Sequence, residues 1–338
     1  MQRIAIVIVS LLLGIAAAQP RIDAHSHAAP PPEAFLQLLD RLDVCMVNVT
    51  LIDPHVPGFD TTEPQTTMAA GIARASRGRI AWVSTFDPGP FEAPDFAEKT
   101  IRHLQRTFEM GAVGVKIYKS VGLDLKSKAG RYVMPDDPAF GPVLEMIAAN
   151  NRTLYAHLGE PKSSWQPLDP ADPHYGYYKK NPDWHMYQHP ERPAHEAIIA
   201  ARDRMLAAHP KLRVIGCHLG SMEHDVDEVA RRFDRYPNFA VDTAARVVNL
   251  KLQPREKVRQ FLIRYQDRVL WGTDMLELDW AGADAALKRW EAAYENDWRY
   301  FSSLDLPPAV LRKIFHDNAI RWVPGLATAV RCGAGPHE

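Results

Sequence analysis

The chain has 338 residues, 24% of them charged and 46% hydrophobic, and a formal net charge of −1. This is an ordinary globular composition, which excludes collagen-like, coiled-coil and low-complexity architectures. Near-neutrality argues against a nucleic-acid surface or a polybasic membrane patch, leaving a small molecule as the expected partner and a homo-oligomer open.

In chain order, the first element is "MQRIAIVIVSLLLGIAAA" (1–18): one early arginine, an unbroken apolar run, and Ala16, Ala17 and Ala18 before Gln19. That pattern is a secretory leader with an A-x-A cleavage site, and the run is short of the ~20 apolar residues a membrane span needs. Cleavage would deliver an exported protein, periplasmic or secreted, without stable membrane insertion. A buried first helix or an uncleaved anchor is the bland alternative. The expected division is a leader (1–18), one catalytic domain (19–326) and a flexible tail (327–338).

Eight short apolar runs follow: "RIDAHSH" (21–27), "VCMVNVTLI" (44–52), "RIAWVSTFD" (79–87), "AVGVKIY" (112–118), "RTLYAHL" (152–158), "LRVIGCHL" (212–219), "NFAVDTA" (238–244) and "RVLWGTD" (268–274). Between them, 32–42, 96–110, 195–209 and 226–236 show the clearest helical periodicity. Strands that are apolar nearly throughout belong to parallel sheets covered by helices. Eight alternating units without a composition break predict an α/β fold, a single (β/α)8 TIM barrel, over an open doubly wound sheet. The three cysteines, Cys45, Cys217 and Cys332, are too few for a disulfide framework, and Cys45 and Cys217 read as small buried side chains. "NVT" (48–50) matches a glycosylation acceptor by chance, since it lies inside a strand run. After the fifth strand, a segment rich in Pro, Tyr, Trp and His (159–193) is too long for a plain connection. In a barrel it would lie over the mouth, as a lid or substrate wall.

Metal-competent residues close most of the strand runs: His25 and His27, Lys116, His157, His218 and Asp274. Each alone has a bland reading as a structural histidine, a snorkelling lysine or a helix cap. Jointly they converge, because barrel strands end at one mouth and residues i and i+2 of a strand share a face. His25, His27, His157 and Asp274 form a set of three nitrogens and one oxygen suited to zinc or a similar divalent ion. Asp23 and Glu160 are candidates to orient the imidazoles. Arg246, just past the seventh strand, is placed to clamp a substrate carboxylate or to form a surface ion pair. Tyr118, Trp165, Tyr177, Trp184 and His185 are candidates for the pocket wall.

Taken together, "IDAHSH", "GVKIY", "YAHLGEP", "IGCHLGS" and "LWGTDM" resemble the amidohydrolase superfamily of metal-dependent barrels, in its amidohydrolase-related branch. The likeness runs from residue 21 to about 325. It implies that His25, His27, His157 and Asp274 are primary metal ligands, with Asp274 also the general base. It implies that His218 polarises the substrate or positions water with one ion bound, or binds a second ion. Lys116 would join a binuclear site as a carbamate; one zinc ion is the favoured expectation and two the alternative. The implied reaction is hydrolysis of a small ester, lactone or amide by an activated water, with Glu160, Tyr118, Trp184 and Arg246 near the substrate. The runner-up is nonoxidative decarboxylation of an aromatic or unsaturated acid.

Overall fold

The computed structural model describes residues 20–53 and 59–333; the leader and residues 334–338 of the tail lie outside them. Nine strands are present: β1 (Arg21–Ala28), β2 (Val44–Val49), β3 (Ile80–Thr85), β4 (Gly114–Ile117), β5 (Thr153–Ala156), β6 (Arg213–Gly216), β7 (Phe239–Asp242), β8 (Val269–Leu270) and β9 (Leu276–Glu277). All pair in parallel, in the order β8-β7-β6-β5-β4-β3-β2-β1-β9. β8 lies within the eighth expected run, and β9 begins just past its end. Backbone bonds from Ala24 N to Trp271 O (2.9 Å), Asp274 N to His25 O (2.8 Å) and His27 N to Met275 O (2.8 Å) sew that run to β1 and close the barrel. The two strands are separated by a sharp turn at Asp274, whose φ is +59°. Gly272 lets the two strands approach, since a Cβ there would lie 3.1 Å from the His25 Cβ.

Strand alternation assigns the two layers of the core. Cys45, Val47 and Val49 of β2 face the barrel interior with Ile22, Ala24, Tyr155, Ile215, Ala240 and Leu270. Val44 and Met46 face the surrounding helices. The four expected helices are found at Glu33–Leu42, Phe96–Glu109, His195–Ala208 and Val226–Arg235. The first packs on the long helix Ala283–Ser302 through Phe35 and Trp290, ring centroids 4.9 Å apart. Among the described residues, no helix is long and apolar enough to cross a membrane. Asn48 of the "NVT" triplet is buried and exchanges two hydrogen bonds with the Ala28 backbone, so it is a strand residue.

Two expectations change at the C-terminus. Cys45 is not a lone buried thiol: it forms a disulfide with Cys332. The first part of the tail is held, with Val330 buried, Arg331 N bonded to Gly78 O and Gly333 N bonded to Asp43. Trp322, Val323, Leu326 and Val330 pack beneath the barrel interior, and this apolar plug seats the half-cystine beside β2. Composition could not show this, because Cys45 and Cys332 are 287 residues apart.

Candidate metal centre

His25 and His27 end β1 at a register shift against β2, between Asp23 and Ser26. A bulge at a barrel rim re-aims side chains, and here both imidazoles turn inward, ring centroids 5.2 Å apart. His157 extends the inward register of Tyr155 on β5, and His218 follows β6 in a left-handed turn at φ +60°. Non-glycine residues adopt that conformation uncommonly, at turns such as those of Asp43, Arg77 and Asn151 as well as at strained sites. Both His218 and Asp274 do so here.

The distal nitrogens fix the ring chemistry. His25 Nδ1 donates to Asp242 Oδ2 (2.8 Å), His27 Nδ1 to Val49 O (2.6 Å) and His218 Nδ1 to Ala244 O (2.9 Å). Carbonyl and carboxylate oxygens only accept, so each Nδ1 carries the proton and each Nε2 is left as a lone pair. Two of those lone pairs face another acceptor: Asp274 Oδ1 lies 3.2 Å from His27 Nε2 and 3.6 Å from His25 Nε2. One ligand atom from each of His25, His218 and Asp274 lies within 4.8 Å of the other two. Lys116 Nζ answers His25 Nε2 at 3.0 Å, but His27 Nε2 and Asp274 Oδ1 still converge as acceptors, which repel unless a cation joins them, so this donor set fits a divalent metal. Burial holds His157 and His218 well below the ordinary histidine range, and lowers His25 with help from Lys116; all three are neutral and ready to ligate. Burial alone would raise the Asp274 carboxyl, but His218, His27 and His25 outweigh it and hold the group well below the usual carboxylate range.

The other expected residues divide. His157 stands against His218, ring centroids 4.2 Å apart, and against Tyr118. Lys116 is buried and reaches His25 Nε2 (3.0 Å) and Cys217 Sγ (3.4 Å). Arg246 is buried beside the cavity; its Nη1 donates to Ala245 O and its Nε has no partner among the described residues. It is therefore not a surface ion pair. Two orienting roles are corrected. Asp23 accepts from Thr273 and from the His25 backbone N–H, touching no ring. Glu160 binds Lys119 and Tyr178. The orienting acid is Asp242, which also accepts from the His218 backbone N–H (2.7 Å). It ends β7 in "NFAVDTA", the same signal that marked the other strand ends.

These groups open into a cavity of about 320 Å³, lined by His27, Lys116, His157, His218, Arg246 and Asp274, and walled by Leu51, Tyr118, Lys119, Glu160, Tyr177, Tyr178 and Leu276. A larger groove of about 790 Å³, by Arg21, Leu42 and Trp298, lies at the opposite, N-terminal end of the barrel and holds none of them. The long segment contributes Glu160, Pro161, His174, Tyr177 and Tyr178 to the wall. Trp184 is buried behind it, 4.0 Å from Lys119 Nζ over the ring. Trp165 and His185 are tied to the segment's own backbone at Pro193 and Gln166, away from the cavity. Lys119, missed in the sequence, is buried among Trp184, Tyr118 and Tyr177. Burial would lower its pKa; Glu160 outweighs that and raises it.

Comparison with known proteins places this geometry. The amidohydrolase family model matches residues 22–325. An uncharacterised TIM-barrel protein from Bordetella bronchiseptica superimposes with a TM-score of 0.57 at 17% identity, over 91% of this chain and 99% of that one. A probable 2-pyrone-4,6-dicarboxylic acid hydrolase from Acinetobacter baumannii gives 0.53 at 14% identity, over 90% and 98%. A 2,6-dihydroxybenzoate decarboxylase from Rhizobium gives 0.54 at 17% identity, over 90% and 98%. A search of curated proteins finds no match. At these identities the superpositions establish the barrel and leave the reaction to the site.

Proposed function

The chain belongs to the amidohydrolase family, and from that premise we propose that it is a metal-dependent hydrolase of a small ester, lactone or amide. The observation that carries the reading is Asp274, a carboxylate that lines the cavity beside the imidazole nitrogens of His27 (3.2 Å) and His25 (3.6 Å). A base is what hydrolysis needs there. Nonoxidative decarboxylation instead needs an acid to protonate carbon, and the other carboxyl of the cavity, Glu160, is engaged by Lys119.

His25, His27, His218 and Asp274, with His157 beside them, would hold one divalent ion, and zinc suits that donor set. Such an ion supplies a water acidic enough to attack near neutral pH and polarises the scissile carbonyl. Asp274 takes the attacking water's proton and returns it to the leaving group. With its Nδ1 proton held by Ala244 O, His218 has only a lone pair left at Nε2, so it ligates or accepts and does not donate to a developing oxyanion. The donors available for that charge are Lys116 and Arg246. The unpartnered Nε of Arg246 also suits a substrate carboxylate, gripped in the plane of the guanidinium. Lys119 and Glu160 neutralise one another and brace the wall formed by Tyr177 and Tyr178.

Export is part of the same proposal. The leader pattern supports it, and so does the Cys45–Cys332 bond, since disulfides persist in oxidising compartments. The test of the reaction is to incubate zinc-loaded protein with panels of lactones, esters, amides and hydroxybenzoates. Hydrolysis products are expected; carbon dioxide release without hydrolysis would replace this reading with decarboxylation.

A further inference from the structure

The cavity is charged at its floor and apolar at its lip. Leu51, Tyr177 and Leu276 line it together with the histidines, yet Leu276 is 54% and Tyr177 41% exposed. The remaining large exposed apolar side chains among the described residues are Tyr187, Val248, Leu252 and Leu278. In chain order Tyr187 follows β5, Val248 and Leu252 follow β7, and Leu278 follows β9. Leu276 and Tyr177 differ from them in lining the cavity itself, and exposed apolar groups grouped at an opening mark a binding surface, whereas scattered ones do not. The enclosed volume, about 320 Å³, is at the small end for ligand sites. It encloses a reacting head and little more.

We infer that the substrate is amphipathic, with a polar reacting head in the cavity and an apolar chain that leaves over Leu276, Leu51 and the Tyr177 ring. This rests on the hydrolase reading for the identity of the head. The apolar path itself rests on the lip residues alone. Leu276 begins β9, two residues after Asp274, so its backbone is fixed by the pairing with His27 of β1. Tyr177 is fixed by its hydroxyl, which accepts from Lys119 Nζ at 2.9 Å, while the residue lines the cavity and stays part-exposed. A chain laid across two anchored apolar surfaces loses water from one side, about half of what full burial of each methylene would remove.

The experiment titrates zinc-loaded protein with straight-chain carboxylates from acetate to decanoate, by calorimetry. These are product-like and are not turned over, so the result does not depend on which bond the enzyme cleaves. Affinity is expected to rise by roughly twofold per methylene once the chain reaches the lip. Leu276→Ser should flatten that rise. Leu252→Ser, an exposed leucine outside the cavity lining, should leave it unchanged. A flat series in the unmodified protein, or a rise that survives Leu276→Ser, overturns the inference. So does a change in sedimentation with Leu276→Ser, which would make the lip a contact between copies of the chain. Failure of the hydrolysis panel with the chain-length rise intact would overturn the reaction alone.

Discussion

Asp242 shows how one buried carboxylate sets the chemistry of several neighbours. Its two oxygens bind His25 Nδ1 and the His218 backbone N–H. Burial would raise its pKa, but His25 and His218 outweigh it and keep the group ionised. Asp242→Asn can present its NH2 to His25 Nδ1, reversing the tautomer and removing the Nε2 lone pair. Zinc affinity should fall by about ten- to a hundredfold, measurable by competition with a chromophoric chelator. Asp274→Asn keeps the fold but removes the proposed base; turnover should drop by roughly a hundredfold to ten-thousandfold with circular dichroism unchanged. Retained turnover would remove Asp274 from that role. Asp297 gives a pH prediction away from the centre. It accepts from Trp271 Nε1 at 3.0 Å, and burial raises its carboxyl to about 6. The folded state therefore binds this proton more tightly than the unfolded chain does, and stability is lost as pH rises from about 4 through 6. Asp297→Asn keeps the acceptor without the buried charge. It should raise the melting temperature by a few degrees above pH ~7, about 1–2 kcal/mol after allowing for partial exposure, and by little at pH ~4. An equal effect at both pH values would exclude the titration.

Among the elements, the segment between β5 and the helix His195–Ala208 shows what patterning can and cannot convey. Its length and aromatic content pointed to a wall over the mouth, and the structure sets Tyr177 and Tyr178 there. Which aromatic faces the cavity was not legible, because short turns such as Lys162–Trp165 and Met186–Gln188 have no period to read. The strands behaved differently. Barrel closure turns each strand end toward one mouth, so His25, His27, His157, His218 and Asp274 could be named from position alone. Asp242 escaped although it obeys the same rule. Lys119 escaped because it lies past the end of β4, where strand register no longer applies. Lys119 ties this segment to β4 through Glu160 and the Tyr177 hydroxyl. Lys119→Met leaves the Glu160 carboxylate buried without its partner and should cost about 3–5 kcal/mol. Cleavage by trypsin within 159–193 should accelerate. Adding Glu160→Gln removes the stranded charge and should recover most of the loss; if it recovers none, the pair is not what braces the segment.

At the scale of the whole molecule, the barrel is closed twice. Hydrogen bonds from the eighth run to β1 close the sheet, and the Cys45–Cys332 bond closes the chain, joining β2 to the segment that plugs the barrel floor. The two closures lie at opposite ends: the candidate metal ligands gather at the C-terminal ends of the strands, whereas Cys45 lies near the start of β2. A cross-link spanning 287 residues removes much of the unfolded chain's freedom. Chain-entropy reasoning sets its contribution at about 6 kcal/mol, and native proteins return about 2–4. Cys332→Ala, or reduction of the wild-type protein, should therefore lower the melting temperature by roughly 4–16 °C. The apolar contacts of Trp322, Leu326 and Val330 remain in either case, so the plug should stay folded and zinc affinity should be unchanged. A second measurement separates the bond from the side chain. Reductant should destabilise the unmodified protein and leave Cys332→Ala untouched, because Cys217 is buried within the barrel and unpaired. If reductant lowers both equally, its effect does not pass through this bond. If zinc affinity falls with stability, the floor and the mouth are coupled through the strands, and the tail acts on the site as well as on the fold.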